Sequence, residues 1–423
     1  MRSPKIGIDF GTSNSTCAVL HGEEARLIPL EGKSTTLPSA IFFGKDGSIY
    51  YGRKSFSAYL EGEEGRFMRG LKSILGTSLM IEKTLINKRY VDFTDIITIY
   101  MRHIKERAEE YTGEKVADIV LGRPVHFHDN DPQADISSEN TLREIAGRIG
   151  FKDISFQYEP IAAAFAHERA LKKDQLAFVA DLGGGTSDFT VIRLSPQRSI
   201  REDRTRDILA TSGVRIGGSN FDQKLSMKSF MPYLGLGSEY RSGFDKEKIL
   251  PIPPAIYYQL SDWPQINSGQ TGKAINETRT LLRMAEEPEK LERLLRLQES
   301  GQGHAFLQAV ERTKIALTDY LDLRADLSEV NVSLDIEVSR AEFEGAVAQH
   351  IERISVSIDQ CLKETSVEKD SIGLVILTGG SSELPIVKHM VMDKFSAAEI
   401  SNDNTFGSVG LGLAYSAGRV STS

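Results

Sequence analysis

Two stretches of the chain set a carboxylate beside a run of glycines and small hydroxyls, and both do it in the same order. Residues 5–20 read KIGIDFGTSNSTCAVL and residues 176–194 read LAFVADLGGGTSDFTVIRL. In each, an apolar run ends in an aspartate, Asp9 or Asp181, and a turn follows: Gly11, Thr12, Ser13 and Asn14 in the first, Gly183, Gly184, Gly185 and Thr186 in the second. Glycines let backbone N–H groups converge on an anion without side-chain obstruction, and hydroxyls add donors at short range. Such turns suit phosphate oxygens. The charge of a phosphate chain then needs neutralising, and Mg²⁺ does this while keeping several waters and leaning on one or two carboxylates. Asp9 and Asp181 end their apolar runs in the right place for that ion. Asp188, just past the second turn, is a further carboxylate that could hold or polarise an attacking water. One copy alone would be read as a tight hairpin whose Asp caps its own backbone; two copies favour a nucleotide site.

The elements that must carry these turns are strands. Each copy has apolar residues before the turn and a returning apolar run after it, the pattern of a hairpin. The repetition marks a duplicated unit. A third apolar run, LVILTGGSSELP at 374–385, ends in Gly379–Gly380 and passes to IVKHMVMDKF, an open strand-to-helix turn that suits another ligand edge. Helical spacing recurs in NTLREIAGRIG at 140–150, PIAAAFAHERAL at 160–171 and AEFEGAVAQHIERISVSIDQCLKE at 341–364. Strands alternating with helices predict an α/β protein. Residues 278–321 read as a solvated helical hairpin broken at Pro288 and at Gly301–Gly303. The segment LPIPPAIYYQLSDWPQ at 250–265 reads as an insertion that caps its own subdomain, with a partner surface as the less favoured alternative.

At 423 residues the chain is too long for one core, so at least two lobes are expected. With 40% apolar and 26% charged residues it has the composition of a folded globular protein. A net charge of −8 disfavours nucleic acid and acidic membranes as partners, no apolar stretch approaches a membrane span, and the N-terminus has no secretory pattern. A cytoplasmic protein is expected. Cys17 and Cys361 lack neighbours at metal-ligand spacing and read as buried small hydrophobes. Other nucleotide motifs fail: Gly32-Lys33-Ser34 ends like a P-loop but has Leu27 where a glycine is required, Arg53 replaces the lysine in a second near match, and no GxGxxG follows a strand.

With these segments in hand, the chain resembles the ATPase domain of the 70-kDa heat-shock protein (DnaK-like) chaperone family, within the actin and sugar-kinase superfamily. Seven segments match in order along nearly the whole chain. IGIDFGTSNS resembles the first phosphate loop, which implies Asp9, Thr12, Ser13 and Asn14 at the β- and γ-phosphates. ADLGGGTSDF resembles the second, which implies Asp181, Gly183, Gly184, Thr186 and Asp188. RGLKSILG implies Lys72 at the γ-phosphate and attacking water, and YEPIAAAFAHE implies Glu159 near the metal waters. GGSNFD implies Gly217 and Gly218 approaching the phosphates from the second lobe. ERTKIALT implies Glu311 and Lys314 on the ribose with Thr318 near the base, and LTGGSSELP implies Gly379, Gly380 and Ser381 at the adenosine. Glu383 stands where the family usually has an Arg stacked on adenine.

The resemblance implies a two-lobed actin-like ATPase fold of duplicated ribonuclease H-like lobes with a nucleotide cleft between them. The lobes would be residues 1–193 and 194–385, with 386–423 returning as a C-terminal helix to the first. It implies ATP/ADP and Mg²⁺ as cofactors and a slow, chaperone-like ATPase that closes on MgATP, with co-chaperone or client proteins as partners. After Gly407 only a helical segment and a short polar tail remain, so the chain is expected to lack the family's β-rich peptide-binding domain. In that it is most similar to the short YegD-type members. A small-molecule kinase and a nucleotide-gated scaffold or filament subunit are the alternatives that the same loops permit.

Overall fold

The computed structural model describes residues 4–201, 203–242, 248–330, 332, 334–401 and 407–419. The chain packs into two compact units, one of residues 1–218, 352–383 and 387–423 and one of residues 219–351 and 384–386.

Two sheets organise the first unit, and they share one topology. In the first, Lys5–Phe10 lies between its hairpin partner Asn14–His21 and the parallel strand Asp118–Arg123; Glu24–Leu27 and Asp153–Tyr158 form the outer strands. In the second, Gln175–Leu182 lies between its hairpin partner Ser187–Leu194 and the parallel strand Leu374–Thr378, with Ile208–Val214 and Glu399–Ser401 outside. Strand order and sense match one for one, so the duplication read from the two turns extends to whole sheets. Because side chains alternate across a strand, Ile6, Ile8 and Phe10 bury into one core with Ile97, Tyr100 and Met101 of helix Phe93–Thr112. Gly7 and Asp9 then share the opposite face. The same alternation in Gln175–Leu182 sets Phe178, stacked on Phe189 and tilted against Phe395, opposite Ala177, Val179 and Asp181.

That opposite face is covered by two helices, Glu159–Glu168 and Ser408–Arg419, whose small residues let backbones meet. Ala162, Ala163, Ala164, Val409, Leu413 and Ala417 join Val120, Val179 and Ile376 in one buried cluster. A Cβ on Gly412 would coincide with the Ala162 carbonyl, and one on Gly7 would come within 2.5 Å of the Ala414 amide nitrogen. Helix Pro132–Arg148 starts earlier than the 140–150 expected, because Asp131 caps it by accepting from the Ala134 amide and Pro132 fits its first turn. Cys17 and Cys361 are buried and free.

The second unit is mainly helical. The stretch expected to be a solvated hairpin is instead packed: helices Gly272–Leu282, Pro288–Glu299 and Gly303–Ala316 bury Leu291, Leu294, Leu297, Phe306, Leu307 and Val310. The breaks do fall at Pro288 and Gly301. The charges that suggested a solvated surface occupy the outer faces of these helices, and the leucines at i, i+3 and i+6 carry the inner one. Residues 250–265 cap this unit, with Tyr257, Leu260 and Trp263 buried. The helix after Gly407 is Ser408–Arg419; the tail at 420–423 lies outside the described residues. Both sheets, and both copies of the repeated turn, fall in the first compact unit.

Gly412→Ala is expected to destabilise the protein by about 1–3 kcal/mol through forced separation of the two helices. Gly147→Ala, in an exposed helical position with open space around its missing Cβ, is expected to gain about 0.5–1 kcal/mol. Chemical denaturation of both variants measures the contrast, and equal effects would mean the helix crossing is not tight.

Candidate functional site

The two turns face each other. A Cβ on Gly184 would run into the Ser13 hydroxyl, and one on Gly185 would sit 2.6 Å from Thr12 Oγ1. Neither glycine tolerates a side chain because the opposing turn's hydroxyl residues already fill that space. Ser39 braces the first turn: its hydroxyl donates to the Gly11 carbonyl at 2.6 Å and its amide to the Ser13 carbonyl at 2.9 Å. In the second, the Gly183 amide donates to the Thr186 carbonyl at 2.9 Å, while the Gly183 carbonyl accepts from the Gly218 amide and the Ser381 hydroxyl, both at 3.0 Å. Gly217 packs on the same turn, its missing Cβ 2.6 Å from the Gly184 carbonyl carbon. Gly379, at φ +79°, brings the third turn close enough that a Cβ would lie 2.8 Å from Asp181 Oδ1.

Five charged side chains converge beside these turns. Lys72, on the short turn Leu71–Ile74, donates to Glu159 Oε1 at 2.5 Å, with both side chains under 10% exposed. Burial works against the Lys72 ammonium, but Glu159 and Asp9 outweigh it and hold its pKa above the ordinary value. Asp9, partly open on one side, is pushed up to about 7 by burial and by the charge of Glu159. Asp181 is raised well above the ordinary carboxylate range for the same two reasons, with Asp188 and Asp9 adding to them. Asp188 is raised to about 7 by burial and by Glu159. Its Oδ1 accepts from the Val125 amide at 2.7 Å, whereas its Oδ2 is buried with no hydrogen-bond partner. Four carboxylates thus meet one ammonium. Such a set favours a further cation, and no three His, Cys, Asp or Glu among the described residues stand close enough to cage a metal directly. That donor set fits Mg²⁺ held largely through its waters and phosphate oxygens.

Asp9, Gly11, Thr12, Ser13, Asn14, Lys72, Glu159, Asp181, the Gly183–Thr186 turn, Asp188, Gly217, Gly218, Gly379, Gly380 and Ser381 all belong to the first unit. Glu311, Lys314 and Thr318 belong to the second, where Lys314 is buried in an ion pair with Asp222 at 2.7 Å and the Thr318 carbonyl accepts from Arg340 at 3.0 Å. Glu383 is paired with Lys388 at 2.7 Å. Ser39 and Val125 went unnoticed in the sequence because each acts through a backbone contact. The only cue was position, Ser39 following Pro38 and Val125 following Pro124 at the end of a strand.

Comparison with known proteins decides the family. The family model described as Hsp70 protein matches residues 5–231 and 285–422. The chain belongs to the Hsp70 family. Its duplicated α/β architecture is the actin-like ATPase fold of that family. Among curated Hsp70 relatives, the chain is 29% identical over 398 residues to the chaperone protein DnaK of Elusimicrobium minutum (strain Pei191) and 26% identical over 401 residues to that of Endomicrobium trichonymphae. Each alignment covers 92% of this chain and 53% of the relative, so the chain spans about half the length of the curated relatives it matches. No helix among the described residues is long and apolar enough to cross a membrane.

The charge excess sets a pH dependence. Between 3.8 and about 7 the folded chain retains a proton on Asp188 that the unfolded chain has released, so this carboxylate's contribution to stability falls as pH rises through that window. Asp188→Asn, which keeps an oxygen for the Val125 amide, is expected to stabilise the nucleotide-free protein at pH 8 and to change it little at pH 4. Thermal melts of both proteins across that range measure the difference, and a gap that does not widen with pH would refute the assignment.

Proposed function

We propose that this Hsp70-family chain is a chaperone-type ATPase that binds MgATP and hydrolyses it slowly to ADP and phosphate. The observation that carries this reading is the interlock of two glycine-hydroxyl turns, Gly184 against Ser13 and Gly185 against Thr12, beside the buried Lys72–Glu159 pair. The turn amides and the hydroxyls of Thr12, Ser13 and Thr186 bind the β- and γ-phosphates. Asp9 and Asp181 would hold Mg²⁺ through its waters, and the ion would supply neutralising charge to the phosphate chain. Asp188 presents its carboxylate to the attacking water, whose oxygen bonds to the γ-phosphorus as the bond to the β-phosphate oxygen breaks, its surplus proton leaving with the released phosphate. Lys72 stabilises the negative charge that develops on the transferred group. Glu159 orients Lys72 and keeps it charged.

The proposal includes the adenosine roles that the family resemblance implies for Glu311, Lys314 and Thr318 and for Gly379, Gly380 and Ser381, and lobes of residues 1–193 and 194–385 with 386–423 returning to the first. Lobe closure on ATP would give a co-chaperone or client protein two states to distinguish, which is what conformational coupling requires. A cytoplasmic setting suits such a partner system. The basic test is phosphate release from MgATP, alone and with a panel of sugars, together with sedimentation with and without nucleotide. Turnover that needs no acceptor supports the proposal, whereas acceptor-dependent turnover would indicate a kinase and nucleotide-dependent polymer a filament subunit.

Lys72→Ala is expected to lower turnover about a hundredfold or more while changing ATP affinity little, because its charge acts mainly on the transferring group. Asp181→Asn is expected instead to weaken magnesium-dependent binding. Single-turnover rates and calorimetric titration of both variants separate the roles, and parental turnover in Lys72→Ala would remove it from the mechanism.

A further inference from the structure

The turn that carries Lys72 is short and is held in part by side chains from elsewhere in the chain. Leu71–Ile74 is one short turn between Gly70, at φ 75°, and Gly76, at φ 69°. Bonds that close it include Ser73 N–H and the Ser73 hydroxyl to the Gly70 carbonyl, at 3.1 Å and 2.7 Å, and Leu75 N–H to the Lys72 carbonyl at 3.3 Å. Leu71, Ile74 and Leu75 anchor one side of it in the core. On the other side, two side chains from distant parts of the chain take its outward carbonyls. Arg215 Nη2 donates to the Ser73 carbonyl, and His128 Nε2 lies 2.8 Å from the Leu75 carbonyl. The two are joined, Arg215 Nη1 lying 3.3 Å from His128 Nδ1. A carbonyl only accepts and a guanidinium only donates, so one neutral tautomer of His128 satisfies both contacts, with the proton on Nε2. Gly76 makes room for that ring, since a Cβ there would lie 2.5 Å from His128 Nε2.

Arg215 is itself fixed at its backbone, where its amide donates to Asp129 Oδ1 at 2.7 Å. It lies two residues before Gly217 and three before Gly218, whose amide holds the Gly183 carbonyl of the second phosphate turn. A single side chain therefore ties the residue next to Lys72 to the segment that braces the opposing turn. We propose that Arg215, acting with His128, is a positioning residue that sets the place of Lys72 against the second phosphate turn. This rests on the reading of Lys72 as the group that stabilises the transferred phosphate. Arg215 does not reach the reacting atoms in this scheme; a planar fork spanning Ser73 and His128 holds the turn where Lys72 meets Glu159. A shift of about 1 Å in a positioned catalytic group can cost a hundredfold in rate.

The test combines a local and a kinetic readout on the full chain, with Arg215→Met and Arg215→Lys. Hydrogen exchange of the nucleotide-free protein is expected to quicken several-fold at residues 72–75 in Arg215→Met and to stay unchanged in helix Phe93–Thr112. In steady-state MgATP turnover, Arg215→Met is expected to lower kcat tenfold to a hundredfold, roughly, with KM within about twofold. Arg215→Lys, which reaches one carbonyl but cannot span both partners, should recover part of that loss. In a Lys72→Ala background, Arg215→Met should cost nothing further, because the two act through one group. Unchanged exchange at 72–75 overturns the proposal whatever the chain's activity. Quickened exchange with a loss that adds fully to that of Lys72→Ala overturns the role through Lys72. If the parental protein shows no turnover, the ATPase reading and with it the catalytic part of the proposal fail, while the exchange data still decide whether the brace exists.

Discussion

A buried ammonium surrounded by more carboxylates than it can neutralise is the constraint around which the first unit is arranged. Lys72 pairs with Glu159, but Asp9, Asp181 and Asp188 remain within reach of the same charge, and burial raises all three toward their neutral forms. Charges taken out of water need compensation from geometry and partners. Each of the five comes from a different piece of secondary structure or turn, so the two sheets, the helix starting at Glu159 and the Leu71–Ile74 turn must all keep their places for the balance to hold. The backbone contacts that brace the glycine turns, from Ser39, Gly218 and Ser381, serve the same end by fixing the donors that an anion would meet.

Duplication supplied the frame, and departures from it supply the chemistry. The paired strands place Thr16 opposite Asp9 in the first hairpin and Asp188 opposite Asp181 in the second. The same register position is thus a hydroxyl in one copy and a carboxylate in the other. The turns differ as well: Gly184 and Gly185 of the second copy meet Ser13 and Thr12 of the first, and the fit depends on glycines facing hydroxyl residues. A perfectly symmetric pair would either clash or leave a gap.

Much of this was legible in the chain because strand alternation and glycine turns are local signals. Asp9 and Asp181 could be placed at strand ends from the apolar residues before them, and the repeated order of Asp, Gly and hydroxyl announced two copies. Helix Arg340–Lys363 and the passage from strand Leu374–Thr378 to helix Pro385–Lys394 were equally plain. What stayed hidden were contacts between residues remote in sequence. Ser39, Arg215 and His128 carry no motif, and their roles arise only when their hydrogen-bond partners are known. The charges along residues 278–321 read as a solvated surface because in these helices they outnumber the leucines that bury the inner face. The start of helix Pro132–Arg148 was present in the Asp131–Pro132 pair but was masked by the polar residues that follow.

The contact between Gly7 and the Leu413–Ala414 backbone has a bearing on how the protein is made. In translation the central strand of the first sheet, Lys5–Phe10, precedes the helix that covers one of its faces, Ser408–Arg419, by a long stretch of chain. Until that helix arrives, the face bearing Gly7 and Asp9 lacks one of its two covering helices, and the closing contact joins segments far apart in sequence. Loop closure over such a separation is entropically unfavourable until many other contacts have formed, and folds dominated by distant contacts assemble slowly. The turn at residues 11–14 is therefore translated well before the sheet that carries it is fully covered, and in that interval one face of the sheet is an exposed surface.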